Sequence, residues 1–207
     1  MERNGFINEF SISGRMISKT NLKSGDTRIV VMTKNGDRDV YAHILCPKDV
    51  MIRCDMRAHI CVKGYIMART FPARNGGGLQ YNQTMVAESI ELSKTLTEDR
   101  FGVKSRFYPL PSCKIYLKGT VHSVFDNDGW IRYQVTVGSN PEGEQTSTIR
   151  LSMKKLDRHP EARPGDTICI ISGLSTPVKT INGRKTHFSD LIISDLAVLP
   201  SLSMLND

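Results

Sequence analysis

The chain has 207 residues, of which 39% are hydrophobic and 24% are charged, a mixture that excludes the low-hydrophobicity, high-charge profile of a disordered chain. Its 28 Lys and Arg residues against 21 Asp and Glu residues give a formal charge of +7, which attracts a polyanion but is also common in proteins that merely stay soluble. No run approaches the roughly 20 apolar residues of a membrane-spanning helix, and the N-terminus lacks the layout of a secretory signal, so we expect a cytoplasmic protein.

The first half of the chain consists of short alternating or β-branched runs separated by Gly, Asn, Asp and Pro. Such runs are typical of antiparallel strands. They predict five strands, at Phe10–Ser18, Thr27–Thr33, Asp39–Leu45, Ala58–Met67 and Gln80–Ser93. Residues 95–102 then lose the alternation, and Pro109 and Pro111 interrupt regular structure, which predicts a linker at residues 95–111.

The second half repeats this organisation. Five further strands are predicted at Lys114–Phe125, Trp130–Val137, Thr148–Met153, Thr167–Leu174 and Lys185–Leu199. The predicted division is therefore a first domain at residues 1–94, the linker at 95–111, a second domain at 112–200 and a short tail at 201–207.

Glycines recur inside the strands of both halves. Gly14 and Gly119 lie in the middle of the first strand of each half, and Gly64 and Gly173 lie late in the fourth. A glycine weakens a strand unless the sheet bends sharply or another backbone approaches, as happens where a small barrel closes. The fold predicted is all-β, with two tandem five-stranded OB-fold (oligonucleotide/oligosaccharide-binding) barrels joined by a short linker, although short alternating strings also match by chance.

Three segments of the first half resemble the bacterial single-stranded DNA-binding protein family. They are Phe-Ser-Ile-Ser-Gly-Arg at residues 10–15, Ala-His-Ile-Cys-Val-Lys-Gly-Tyr-Ile at 58–66 and Thr-Met-Val-Ala-Glu-Ser-Ile-Glu-Leu at 84–92. They look like that family's opening strand, the strand entering its long hairpin and its closing strand. The resemblance covers residues 6–93 and implies an OB fold that binds single-stranded DNA without catalysis. The second half joins it only through the internal repeat.

The chain also departs from the family pattern. The third strand, Val-Tyr-Ala-His-Ile-Leu at residues 40–45, lacks the family's tryptophan, so the implied base stacking falls to Tyr41. Members of the family usually carry a disordered tail that ends in acidic residues and docks partner proteins, whereas this sequence stops at Ser-Met-Leu-Asn-Asp, residues 203–207. We therefore expect no recruitment of partner proteins through such a tail. Because the family commonly assembles four single-barrel subunits, the resemblance implies a homodimer if four barrels are required.

Strand alternation separates inward from outward side chains and so selects candidate contacts in the first barrel. In the fourth strand Ile60, Val62 and Ile66 are predicted to point inward. Arginines and lysines can reach phosphates, and aromatic rings can stack on unpaired bases. The predicted nucleic-acid contacts are Arg15, Tyr41, Lys63 and Tyr65, and, in the glycine-rich hairpin, Arg69, Phe71, Arg74 and Tyr81. Alternatively, this hairpin is a solvated loop whose aromatic residues cover the end of the barrel.

The same reasoning gives a second set of candidate contacts. It comprises Lys114, Lys118, Trp130, Arg132, Arg150 and Lys154 on the predicted outer face, and Lys179, Arg184 and Lys185 in a hairpin that parallels the one in the first half. Trp130 either caps the core of the second barrel or offers a stacking platform. Each of these cations can also be an ordinary solvated residue.

Residues 43–61 contain two histidines and three cysteines, a density that raises the possibility of a zinc site. Their spacing does not form the paired short knuckles of zinc ribbons and fingers, so we expect structural residues, no metal and no other cofactor. The chain also lacks the phosphate loop, the nucleophile elbow and the His-Glu-x-x-His helix, and we expect no enzyme.

The function predicted is sequence-tolerant binding of single-stranded DNA in replication, recombination or conjugative transfer. Two alternatives remain open. The chain could be an OB-fold scaffold or accessory subunit of a DNA-processing complex, or it could bind RNA, since OB folds serve both polymers.

Overall fold

A computed structural model describes residues 5–52, 54–72, 79–93, 95–98, 104–107, 111–138, 145–155, 160–181, 184–187 and 189–199. The segments 95–98, 104–107, 178–181 and 184–187 are described by their backbone alone. The first five strands are β1 (Ile7–Asn21), β2 (Thr27–Asn35), β3 (Arg38–Cys46), β4 (His59–Pro72) and β5 (Leu79–Leu92). They pair in the order β1-β2-β3-β5-β4, and β4 pairs back onto β1, which closes a five-stranded barrel.

The interior of this barrel is formed by alternate residues of each strand, as period-2 geometry requires. Ile60, Val62 and Ile66 of β4 are fully buried, which confirms the predicted inward set. The strands extend beyond the predicted limits. β4 continues to Pro72, past the last buried apolar residue, because its ladder with β5 continues after the barrel wall ends.

The segment predicted as a linker contains two short strands, β6 (Thr95–Glu98) and β7 (Lys104–Phe107), which pair antiparallel. Loss of alternation between polar and apolar residues therefore does not exclude backbone pairing here. The pair forms a separate two-stranded sheet between the two halves of the chain.

The described residues of the second half form seven strands. They are β8 (Ser112–Asn127), β9 (Trp130–Gly138), β10 (Thr146–Lys154), β11 (Thr167–Ser175), β12 (Val178–Ile181), β13 (Arg184–His187) and β14 (Asp190–Leu199). Strands β8-β9-β10-β14-β11 pair in that order, and β11 pairs back onto β8, so the second barrel has the same topology as the first. The single strand predicted at residues 185–199 is instead β13 and β14, and β13 pairs with β12.

Register shifts occur at corresponding points of the two barrels, which supports the internal repeat. The β1–β2 ladder shifts between Met16 and Ser18, and the β8–β9 ladder shifts between Val121 and Ser123. Two residues earlier, a Cβ on Gly14 would collide with the carbonyl oxygen of Met32, and a Cβ on Gly119 would collide with that of Thr136. Both glycines therefore permit the close approach of strands that closes a small barrel.

The other pair of glycines is less equivalent than the sequence indicates. A Cβ on Gly64 would meet the carbonyl oxygen of Val86 within its own barrel, whereas a Cβ on Gly173 would meet the Asn35 carboxamide of the other barrel. By ladder register Gly64 corresponds to Ser172. Gly173 therefore makes room for a contact between barrels.

The two barrels share one ten-stranded sheet because β1 pairs antiparallel with β8 over seven residue pairs, from Ile7 opposite Lys118 to Ser13 opposite Ser112. At the middle of this ladder Phe10 lies opposite Ile115, which is its counterpart in the repeat. Both side chains are buried, and the buried residues of both barrels belong to one continuous apolar cluster.

Candidate nucleic-acid interface

The outer face of the first barrel carries a continuous row of side chains across four strands. Arg15 lies opposite His59 of β4 on one side and Met32 of β2 on the other, and Met32 lies opposite Tyr41 of β3. Directly opposed side chains of antiparallel strands have Cβ atoms about 5 Å apart, so these four residues, the first-barrel row, are neighbours. All four are half-buried. The row combines a guanidinium with an aromatic ring, as stacking and phosphate contact require.

Three residues of β2 were missed by the sequence reasoning. Arg28 and Lys34 are exposed, and Met32 is half-buried, on the face that carries Tyr41. These three residues alternate with the buried Ile29 and Val31, and this alternation could have identified them from the sequence as outward-facing. Arg28 and Lys34 place positive charge near the two ends of β2, where Lys34 lies opposite Asp39 of β3.

Strand β4 presents four of the predicted contacts. Lys63 and Arg69 are exposed, Phe71 is 41% exposed, and Tyr65 is half-buried. Burial is the main cause that raises the pKa of Tyr65, and the carboxylate of Glu88 raises it further. The Tyr65 phenol is therefore neutral, and it lies near the Arg69 guanidinium and the Glu88 carboxylate.

The shared sheet brings cations of the two barrels into one row. Ser11 of β1 lies opposite Lys63 of β4 on one side and opposite Lys114 of β8 on the other. Lys63 and Lys114 are both exposed, and Lys118 is half-buried further along β8. Strand pairing thus groups predicted contacts that lie about fifty residues apart in the sequence.

Tyr81 and Arg150 lie between the barrels and contact each other. The Arg150 guanidinium carbon is 4.0 Å from the centroid of the Tyr81 ring. The Tyr81 hydroxyl donates to the carbonyl oxygen of Thr148 at 2.7 Å, and burial raises the pKa of this tyrosine to about 12. One face of the ring is therefore covered by a residue of the other barrel. This arrangement differs from the open stacking surface that the hairpin sequence suggests.

These two residues belong to a polar seam between the barrels. The carboxamide of Gln83 accepts from the Arg150 N–H at 3.0 Å and donates to the Arg150 carbonyl at 3.4 Å, and Asn35 donates to the Leu174 carbonyl at 2.9 Å. The Asn8 carboxamide donates to the carbonyls of Ile66 at 2.7 Å and Gly138 at 2.6 Å, and it accepts from the Ile66 N–H at 2.9 Å. The seam fixes the position of one barrel against the other.

The second barrel carries aromatic and cationic side chains at the β8–β9 hairpin. Phe125 of β8 lies opposite Arg132 of β9, and Trp130 of β9 lies opposite Lys154 of β10. Phe125 is 52% exposed, Trp130 is 39% exposed, and both cations are exposed. Of the two roles left open for Trp130, this position on the outer face favours the stacking platform over the core. These four residues form the hairpin patch. Phe125 was missed because it was read only as the end of a strand.

Four predicted contacts cannot be placed in the same way. Arg74 lies outside the described residues. Lys179 is in β12, and Arg184 and Lys185 are in β13, where the backbone places Lys179 opposite Thr186. Their participation stays a prediction.

Among the described residues, no group of three or more His, Cys, Asp or Glu side chains could hold a metal ion. The described cysteines Cys46, Cys54, Cys61, Cys113 and Cys169 are free thiols. Within the described part of the chain, no helix has the length and hydropathy that crossing a membrane requires.

Two solved structures show which known fold this architecture matches. A deletion mutant of the single-stranded DNA binding protein from Thermus aquaticus aligns over 97% of both chains with a TM-score of 0.60 and 13% sequence identity. The wild-type protein aligns over 95% of this chain and 94% of its own, with a TM-score of 0.59 and 14% identity. The chain shares their fold. The predicted all-β fold of two tandem OB barrels is thereby confirmed. No protein-family model matches the chain, and no curated protein matches it.

Proposed function

We propose that this chain binds single-stranded DNA with little dependence on base sequence. The observation that carries the proposal is the strand register, which sets aromatic rings and cations on the same outer face of each barrel. Arg15 and Tyr41 share one row with Met32 between them in the first barrel, and Phe125 lies opposite Arg132 in the second. The similarity over nearly the whole chain to the single-stranded DNA binding protein from Thermus aquaticus supports it.

The proposed mechanism has two parts. Aromatic rings such as Tyr41 and Trp130 stack on unpaired bases, and each stack contributes about 1–3 kcal/mol whatever the base, because every base has a π-face. Arg28, Lys34 and Arg132 contact phosphates and release counterions, so binding weakens as salt rises. A duplex hides its base faces, so single strands are preferred. The bound strand stays unpaired and protected during replication, recombination or conjugative transfer.

The test is a titration of fluorescently labelled oligo-dT by anisotropy at several NaCl concentrations. We expect log Kd to rise linearly with log salt, and duplex of equal length to bind more weakly. A flat salt response or equal affinity for duplex would contradict the proposal. Competition with an RNA oligomer of matched sequence distinguishes DNA from RNA binding, and stronger competition by RNA would favour the RNA alternative.

Tyr41 offers a residue-level test with a matched control. Loss of one stack in Tyr41→Ala costs about 1–3 kcal/mol, which is roughly a 5- to 150-fold rise in Kd. Tyr41→Phe keeps the ring and should bind as the wild type does. Thermal unfolding of both variants checks that the barrel is intact. Equal affinity of the alanine and phenylalanine variants would exclude Tyr41 as a stacking residue.

We also propose that two chains associate, which would give four barrels. The supporting observation is an apolar pair on the outer face of the shared sheet, where Tyr116 is 39% exposed, Ile171 is 41% exposed, and the two lie opposite each other. Native mass spectrometry should give twice the mass of one chain, and Ile171→Lys should shift it to a single chain. A single-chain mass for the wild type would exclude the dimer.

A further inference from the structure

The two barrels can be compared position by position, because their ladders have the same register around Gly14 and Gly119. One residue after each glycine, Arg15 lies opposite Met32 and Thr120 lies opposite Thr136. On the next strand, Met32 lies opposite Tyr41, and Thr136 lies opposite Thr148. Three residues of the first-barrel row, Arg15, Met32 and Tyr41, therefore correspond to Thr120, Thr136 and Thr148 in the second barrel.

Because threonines replace Arg15, Met32 and Tyr41, the centre of the second barrel lacks both base-stacking and phosphate contacts. Three threonines offer neither a ring for stacking nor a charge for a phosphate. The same region is also engaged by the first barrel, because the Tyr81 hydroxyl donates to the Thr148 carbonyl and the Ala68 N–H donates to the Ser147 hydroxyl at 3.2 Å. The centre of the second barrel is therefore a poor base-binding surface.

At the hairpin between the first two strands of each barrel the difference is reversed. The register pairs Thr20 with Arg28 in the first barrel and Phe125 with Arg132 in the second. The position of Trp130, two residues before this arginine, is Asp26 in the first barrel, and Asp26 accepts from the Ser24 hydroxyl at 2.9 Å. The arginine is common to both barrels, whereas the two aromatic rings are present only in the second.

We propose that the second barrel binds unpaired bases at the hairpin patch, with Phe125 and Trp130 as stacking residues and Arg132 and Lys154 as phosphate contacts. The first barrel binds them at the first-barrel row. The inference rests on the proposed function. One strand then contacts the two barrels at non-equivalent places, so its path does not follow the symmetry of the repeat.

The composition of the hairpin patch favours a polyanion with apolar faces over other occupants. Its two rings are diagonal neighbours, about 7–8 Å apart at the backbone, and each lies opposite a cation. The nearby carboxylate of Asp126 is paired with the Lys155 ammonium. A protein partner that covered the patch would have to place acidic groups beside both rings. Unpaired nucleic acid meets this requirement at every nucleotide, because each nucleotide carries a phosphate and a base.

Trp130 makes the proposal directly measurable, because it is the only tryptophan in the chain. Oligo-dT titrated into the wild-type protein should quench the tryptophan emission over the concentration range in which the anisotropy of labelled oligo-dT rises. In Tyr41→Ala the quenching should persist and move to higher oligomer concentration. In Phe125→Ala, Kd should rise roughly 5-fold or more.

The controls separate this inference from the proposed function. Leu92, 44% exposed on β5, gives the matched variant Leu92→Ala, which loses exposed apolar surface away from the patch and should bind as the wild type does. If oligo-dT binds by anisotropy but leaves the tryptophan emission unchanged, the inference is overturned while the proposed function stands. Wild-type affinity of a folded Phe125→Ala would overturn it as well. Absence of binding by anisotropy would overturn the proposed function itself. The emission measurement needs no variant, so it decides the question even if Phe125→Ala does not fold.

Discussion

Replacing Asn8 with alanine tests the seam at the point where one side chain makes three hydrogen bonds. Its carboxamide joins β1 to Ile66 of the first barrel and to Gly138 of the second at 2.6–2.9 Å. A buried hydrogen bond contributes a net free energy of about 1 kcal/mol, so the loss of three should cost about 3 kcal/mol. This cost is a large fraction of a total free energy of unfolding of about 5–15 kcal/mol.

The assay is thermal unfolding followed by circular dichroism. In a chain of this size each kcal/mol changes the midpoint by about 2–4 °C, so Asn8→Ala should melt roughly 6–12 °C below the wild type. Asn8→Asp should be at least as unstable, because it opposes a carboxylate to the carbonyl oxygens of Ile66 and Gly138. Both variants should still unfold in one transition, since the two barrels share a sheet and a core.

Asn82→Ala is the matched control. Asn82 is exposed and makes one weak hydrogen bond, to the Thr84 hydroxyl at 3.4 Å, so its replacement should change stability by less than about 0.5 kcal/mol. If Asn8→Ala melts within about 2 °C of the wild type, the seam does not stabilise the protein as reasoned. Two separate transitions would show that the barrels unfold independently.

Three further predictions concern backbone packing and ionisation. Gly14→Ala should destabilise the protein by at least about 1–3 kcal/mol in urea unfolding, because the new Cβ collides with the Met32 carbonyl, and a near-neutral result would mean that β1 and β2 can separate there. Burial favours the neutral phenol of Tyr81, whose pKa is about 12 against an ordinary 10, so its contribution to stability is complete below pH 10 and decreases as pH rises toward 12. Ultraviolet titration should therefore show a late tyrosine that is missing in Tyr81→Phe, and ionisation of every tyrosine near pH 10 would contradict this. Burial raises the pKa of Cys46 to about 12, so its thiol should react with iodoacetamide more slowly than that of the partly exposed Cys169, as peptide mass spectrometry would measure, and equal rates would contradict its burial.

Much of each barrel could be predicted from the sequence, because burial in a strand follows local alternation. The predicted inward residues of β4 are buried, and Gly14 and Gly119 mark the same close approach in both barrels. The predicted limits were too narrow where backbone pairing continues beyond the apolar residues, as at Pro72. Pairing of β6 with β7 carries no alternation and was missed for that reason.

The arrangement between barrels could not be predicted, because it depends on contacts between residues far apart in the chain. Tyr81 and Arg150 were selected separately as nucleic-acid contacts, and nothing local to either indicates that they pack against each other. Gly173 matches Gly64 in the sequence but makes room for Asn35. Phe125 becomes a candidate only when the register sets it opposite Arg132.

The ladder between β1 and β8 has a consequence for how the two barrels behave in dilute solution. Two separate single-barrel chains joined along the same edge would come apart when diluted, whereas tethered partners keep an effective concentration on the order of millimolar. The pair therefore persists at any concentration of the protein. In an assembly of identical chains a substitution appears in every barrel, whereas here a substitution in one half leaves the other half unchanged. Each barrel can therefore specialise separately.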